Sequence, residues 1–287
     1  MTNADNIEAL LKKVFHSLGD MSFTETNPEI VGITFALLKE HIGNDDPYSE
    51  IRTHYNKLFL SMTDTFESKI ACAPKPFEQA VLYAIIGNII DFNPIYNSSM
   101  DDIMQLFENA GEISLTVNHL DKMESDIQKS KKLLYLGDNC GEICLDKLLI
   151  KKIREQNPHI EVFFAVRGTP VVNDSIEADA YFVGINEYAE VISNGDNSLG
   201  TVVHRVSDEF KRIYRDADII IAKGQANYES LSEEYEKNIY FLLVAKCDVI
   251  AKNIGVPIKS FICMNQRYYR KRKNGLSNMQ IYSFRAD

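Results

Sequence analysis

The stretch Lys132-Leu-Leu-Tyr-Leu-Gly-Asp-Asn-Cys-Gly-Glu142 carries the side chains best suited to chemistry. Asp138 offers a carboxylate, Asn139 a carbonyl amide, and Gly141 permits the tight turn that follows them. The apolar run before them reads as a strand. After them Ile143, Leu145, Leu148, Leu149 and Ile153 keep one face of a helix apolar. Strand, turn and helix put Asp138 and Asn139 at the carboxyl end of a strand, where open α/β sheets bind ligands. The free N–H groups of the helix start face the same small volume. Oxygen donors beside a helix N-terminus suit a hard cation bound to a phosphate. Glu142, in the first helical turn, either orients a ligand or water or simply supplies favourable charge there.

The elements that must position these groups follow from the pattern around them. Beyond residue 130, apolar runs at 133–136, 160–166, 180–183, 218–222, 240–245 and 258–263 read as strands. Helical patterns at 143–155, 207–215 and 248–253 lie between several of them. This spacing predicts crossover units and a largely parallel sheet. The segments after the strands are Arg167-Gly-Thr-Pro-Val-Val-Asn-Asp174, Lys223-Gly-Gln-Ala-Asn227 and Lys246-Cys-Asp248. Acids, amides and basic groups therefore collect along one edge of the sheet.

Up to about residue 128 the pattern is helix after helix. Asn27-Pro28-Glu29 reads as a helix start with Asn27 as the cap; Asp46-Pro47 repeats the signal, and Ser99-Met-Asp-Asp102 resembles a capping box. The almost wholly apolar segment from Pro76 to Phe92 predicts a buried helix, with Asn88 and Asp91 on one face. On pattern alone Asn88 reads as an amide satisfied inside a helix bundle, the alternative being that its face meets the cleft. The expected fold class is α/β. A helical subdomain over 1–128 packs on a largely parallel, Rossmann-like three-layer α/β domain over 129–287. Asn274-Gly275 suggests a terminal hairpin within 264–287.

Composition narrows the function classes. The 287 residues carry a net charge of −10, which disfavours nonspecific nucleic-acid binding. Five scattered cysteines without a Cys-x-x-Cys pair indicate a reducing compartment and argue against zinc. No run approaches membrane-spanning length and no basic-apolar leader opens the chain, so the expected location is cytoplasmic, without a membrane partner. The basic run from Arg267 to Lys273 reads as a solvated edge.

Taken together, the loops resemble the damage-control phosphatase family, metal-dependent phosphatases with the acidic-residue-methyltransferase-like fold, in its stand-alone prokaryotic branch. The resemblance rests on Gly87-Asn-Ile-Ile-Asp91, Gly137-Asp-Asn-Cys-Gly-Glu142, Arg167-Gly-Thr-Pro-Val-Val-Asn-Asp174, Ile192-Ser-Asn-Gly195, Ala222-Lys-Gly-Gln-Ala-Asn-Tyr-Glu229 and Lys246-Cys-Asp248 with Gly255-Val256. Two features depart from the family's pattern: there is no cysteine pair close to the N-terminus, and the basic, Tyr-rich end is unusual. The resemblance implies a divalent metal (Mn²⁺, Mg²⁺, Co²⁺ or Ni²⁺) held by Asp138, Asn139 and Asp174, with Lys246 adding positive charge to a phosphate. It implies substrate or phosphate contacts for Asn88, Glu142, Arg167, Lys223 and Asn227. The expected activity is hydrolysis of a small phosphorylated metabolite, a sugar phosphate or a phosphopantetheine-like ester. Other classes stand beside it. A carboxyl methyltransferase using S-adenosylmethionine lacks the usual Gly-x-Gly turn here. A non-catalytic phosphometabolite-binding protein would use the same cleft without turnover. Cys140 as a nucleophile has no nearby His.

Overall fold

The computed structural model describes residues 3–22, 24–89 and 100–269. The chain opens with helices α1 (Asn3–Gly19), α2 (Asn27–Ile42), α3 (Ser49–Ser61), α4 (Thr63–Cys72), α5 (Pro76–Gly87) and α6 (Met100–Glu108). Then come β1 (Val117–Asn118), α7 (Leu120–Lys129), β2 (Lys132–Leu136), α8 (Glu142–Gln156), β3 (Glu161–Val166), α9 (Glu177–Val183) and β4 (Glu190–Ser193). The last are α10 (Asp208–Asp216), β5 (Ile219–Lys223), α11 (Gly224–Leu231), β6 (Ile239–Val244), α12 (Asp248–Ile254) and β7 (Phe261–Asn265).

The strands form a seven-stranded sheet in the order β1-β7-β6-β5-β2-β3-β4. Every neighbouring pair is parallel except β6 and β7. The central strands are buried on both faces, and alternate residues enter two separate cores. Leu133, Tyr135, Ile219, Ile221, Tyr240 and Leu242 face the layer that contains α8 and the N-terminal helices. Leu134, Leu136, Ile220, Ala222, Phe241 and Leu243 face the layer of α10, α11 and α12. Three layers result, as the strand and helix spacing predicts. The helical part is fastened by an aromatic cluster. Phe66 and Phe107 have ring centroids 4.8 Å apart, and Tyr83 meets Phe107 edge-on at 5.3 Å.

The structure corrects several local expectations. The 180–183 run is not a strand but the end of α9. Ala180 and Val183 are three apart and share the buried face of a helix turn, which a short apolar run cannot distinguish from a strand. The strand lies later, at β4, a sheet edge whose residues are exposed or half-buried. A two-residue strand, β1, precedes the expected boundary at 128 and pairs with β7. Helix α2 is capped one residue earlier than Asn27: the Glu29 carboxylate accepts from the Thr26 N–H at 2.8 Å and from its hydroxyl at 2.9 Å. Asp91, the Ser99 end of the expected capping box and the hairpin beyond residue 269 lie outside the described residues.

Candidate active site

The loop after β2 and the loop after β3 are stitched together by their backbones. The Ser175 N–H donates to the Asp138 carbonyl at 2.8 Å, and the Cys140 N–H to the Asn173 carbonyl at 2.9 Å. Asn139 and Asp174 face each other in an isolated antiparallel bridge. Two segments far apart in sequence thus present their polar side chains at one point on the rim of the sheet. In the second loop Val172 sits at φ 46, a conformation that β-branched residues rarely adopt, just before Asn173 and Asp174.

The side chains form a closed cluster. Arg167 lies across both acids: its Nε donates to Asp174 Oδ2 at 2.6 Å and its Nη2 to Asp138 Oδ1 at 3.4 Å. Asp138 Oδ2 accepts from the Asn139 amide at 2.9 Å and the Asn88 amide at 3.0 Å. The same two amides donate to Glu142 Oε2 at 3.0 and 3.3 Å. Asn173 Nδ2 donates to Asn139 Oδ1 at 2.8 Å. Asn88 Oδ1 is buried and has no hydrogen-bond partner among the described residues.

Two glycines make the cluster possible. A Cβ on Gly87 would come 2.8 Å from Leu145 Cδ1, so its absence lets α5 approach α8 closely enough for Asn88 to reach Glu142. Gly224 has φ +78, and a Cβ there would lie 1.8 Å from Asp138 Oδ2. The start of α11 therefore presses bare backbone against the Asp138 carboxyl.

Burial pushes the Asp138 carboxyl well above the usual carboxylate range. Its neighbours Asp174 and Glu142 add to the rise, while Arg167 and Lys246 oppose it. Asp174 is raised for the same leading reason, with Arg167 opposing. This is a crowd of buried acids short of positive charge, which a cation would relieve.

Behind the rim lies a second ring of polar groups. Lys223, fully buried, pairs with Glu142, with Asp146 at 3.0 Å and with the Ala84 carbonyl at 2.7 Å. Tyr135 donates to Asp146 at 2.6 Å. The Asn227 amide donates to the Lys223 carbonyl at 2.7 Å and the Gly137 carbonyl at 3.2 Å, and its oxygen accepts from Thr201 at 2.9 Å. Lys223 and Asn227 were expected to meet substrate or phosphate. Their polar atoms instead face inward, where they hold Glu142 and the loop after β2. From α3, Asn56 accepts from the Gly141 N–H at 2.7 Å and donates to Asp179 at 2.8 Å, next to the buried Arg52–Asp179 pair.

Of the sequence candidates, Asp138, Asn139, Asp174, Asn88, Glu142 and Arg167 therefore come together. The charge of Lys246 opposes the rise of both Asp138 and Asp174. Asn88, read on pattern as a helix-bundle amide, instead lies against Asp138 and Glu142. Sequence reasoning missed Asn56, Asp146, Asn173 and Gly224. Asp146 carried a signal, lying four residues after Glu142 on the same helix face. Cys140 is buried, and burial raises its thiol well above the ordinary range, so the nucleophilic reading finds no support. Among the described residues no group of three or more His, Cys, Asp or Glu side chains is arranged as a metal cage. The donor set is instead two carboxylates with neighbouring amide oxygens, one of them the orphaned Asn88 Oδ1. Such hard oxygens fit a hard divalent ion.

Fold and rim define a class: a mostly parallel α/β sheet under a helical layer, with carboxylates and amides clustered at the strand ends. Residues 1–261 match the model of the damage-control phosphatase ARMT1-like domain, and the chain belongs to that family. It is 35% identical over 242 residues to a damage-control phosphatase of Pyrococcus horikoshii, covering 84% of this chain and 82% of the relative. It is 31% identical over 225 residues to a damage-control phosphatase of Archaeoglobus fulgidus, covering 78% and 77%. The crystal structure of a DUF89 family protein from Pyrococcus horikoshii superposes with a TM-score of 0.82 at 31% identity, over 93% of this chain and 92% of that one. Membership places the chain among phosphatases.

Proposed function

We propose that this chain is a metal-dependent phosphomonoester hydrolase acting on small phosphometabolites, sugar phosphates or phosphopantetheine-like esters, in metabolite damage control. The observation that carries the reading is the pairing of the 138–140 and 173–175 backbones, which brings the buried carboxyls of Asp138 and Asp174 to either side of Arg167. Asp138, Asp174 and Asn139 would hold the metal, Asn139 through the second lone pair of the oxygen that accepts from Asn173. When bound, a divalent ion neutralises a phosphoryl oxygen and makes a water more acidic. Lys246 adds charge for the ester's phosphate, the electrostatic help that a slow phosphate hydrolysis most needs. Glu142 and Asn88 fix the orientation of Asp138 and Asn139.

The acidic net charge, −10, accords with a metabolite and not a nucleic acid as partner. The five cysteines are unpaired, in keeping with a cytoplasmic setting, and among the described residues no helix is long and apolar enough to cross a membrane. The test is phosphate release from p-nitrophenyl phosphate and a panel of sugar phosphates with Mn²⁺, Mg²⁺, Co²⁺ or Ni²⁺ in turn. Turnover that chelation abolishes is expected. Binding of these esters without turnover would leave a sensor protein instead.

A further inference from the structure

A cavity of about 420 Å³ opens between α6 and the ends of β6 and β7. Among the described residues, Ile89, Leu106, Val244, Ile258 and Phe261 give it an apolar side. Two of its lining residues connect it to the candidate active site. Lys246, whose charge acts on Asp138 and Asp174, lines it, and Ile89 directly follows Asn88, whose amide is 3.0 Å from Asp138. We infer that this cavity receives the carbon part of the phosphate ester, and that the part received is an apolar chain or ring. The inference rests on the phosphatase reading and, within it, favours esters with an apolar part over sugar phosphates.

A polar ligand would leave hydrogen bonds unmet here. Val244 and Phe261 are register partners in the antiparallel β6–β7 ladder, so the floor's backbone groups are already committed to the sheet. A polyol lying on that floor would leave its hydroxyls without partners, and burying unpaired hydroxyls is unfavourable. A hydrocarbon loses nothing there and gains by leaving water. The polar groups lie at the edge. Gln105 on the exposed side of α6 and Asn109 just after it line the edge, and Lys259 stands exposed beside Ile258. With Lys246 it sets a second ammonium against the cavity, opposed by the Asp102 carboxylate. An apolar interior with ammonium groups at its border orients a ligand tail-in and phosphate-out. The volume is in the range of small-ligand sites, roughly 300–1,000 Å³.

The experiment compares two primary alkyl esters with similar leaving groups, n-hexyl phosphate and glycerol 3-phosphate, on Mn²⁺-loaded protein. A kcat/KM ratio favouring the hexyl ester by about ten-fold or more is expected. The ratio should collapse in Ile258→Asp, at an exposed position, and fall in Leu106→Ala, which shortens a half-buried wall residue without adding a charge. Thermal shift gives a second readout that needs no turnover: hexylphosphonate should raise Tm more than methylphosphonate does, and less so in either variant. Equal kcat/KM for the two esters, or a preference that both variants retain, would overturn the cavity assignment and leave the phosphatase reading standing. Absence of turnover with both esters would overturn this inference, and failure on p-nitrophenyl phosphate and the sugar-phosphate panel as well would remove the phosphatase reading with it.

Discussion

Arg167 bridges Asp138 and Asp174, and their chemistry turns on what else can stand between them. Removing a buried guanidinium leaves two buried acids facing each other, a change that costs about 3–5 kcal/mol when one partner of a buried pair is lost. Arg167→Met should therefore lower the unfolding free energy of the metal-free protein by that order, and added Mn²⁺ should restore much of it; urea titration with and without the ion reads both. Gly224→Ala meets two penalties, a left-handed φ and a Cβ 1.8 Å from Asp138 Oδ2. Strained backbone alone costs about 1–3 kcal/mol. The variant should unfold at lower urea concentration and lose phosphate release together. Asp138, Asn139 and Asp174 were legible in the sequence because strand-end loops of an α/β sheet declare themselves by position. The contact between Gly224 and Asp138 was not, since nothing local in Lys223-Gly-Gln reveals which carboxyl its backbone will touch.

Helices α3 and α8 carry the support of the site. Asn56 on α3 satisfies both the Gly141 N–H and Asp179, so Asn56→Ala strands two buried polar groups. A loss of about 1–3 kcal/mol is expected from chemical denaturation. Asp146 on α8 shares Lys223 with Glu142. Burial pushes its carboxyl up to about 7, helped by Glu142 and opposed by Lys223. The ordinary carboxylate value lies near 4, so between roughly pH 4 and 7 the folded chain holds a proton that the unfolded chain has released. That contribution to stability is complete below the ordinary value and is lost as pH rises through about 7. Between about pH 5 and pH 8, the Tm of Asp146→Asn should fall less than that of the wild type. The elements themselves differed in legibility for a physical reason. β2, β3, β5 and β6 are mainly apolar because helices cover both sheet faces, and such runs are visible in sequence. β4 is an edge strand and β1 only two residues long, so neither has room for a pattern. Asn88 was read first as a bundle amide because its partners, Asp138 and Glu142, lie on elements that no local pattern connects to α5.

For the molecule as a whole, the helical N-terminal layer is part of the site and not an appendage to it. α5 brings Asn88, α3 brings Asn56, and the sheet brings the acids to its rim. A metal that binds only this assembled arrangement must stabilise the whole chain. At a free concentration about a hundred times its Kd the gain is about 2.7 kcal/mol, seen as a rise in Tm that chelation reverses. The most direct test of the central claim is calorimetric titration of Mn²⁺ into wild type and Asp174→Ala, with phosphate release from p-nitrophenyl phosphate measured on the same samples. One site per chain in the wild type, with binding and turnover both lost in the variant, is the predicted result. Undiminished turnover in Asp174→Ala, or in wild type stripped of metal, would contradict it.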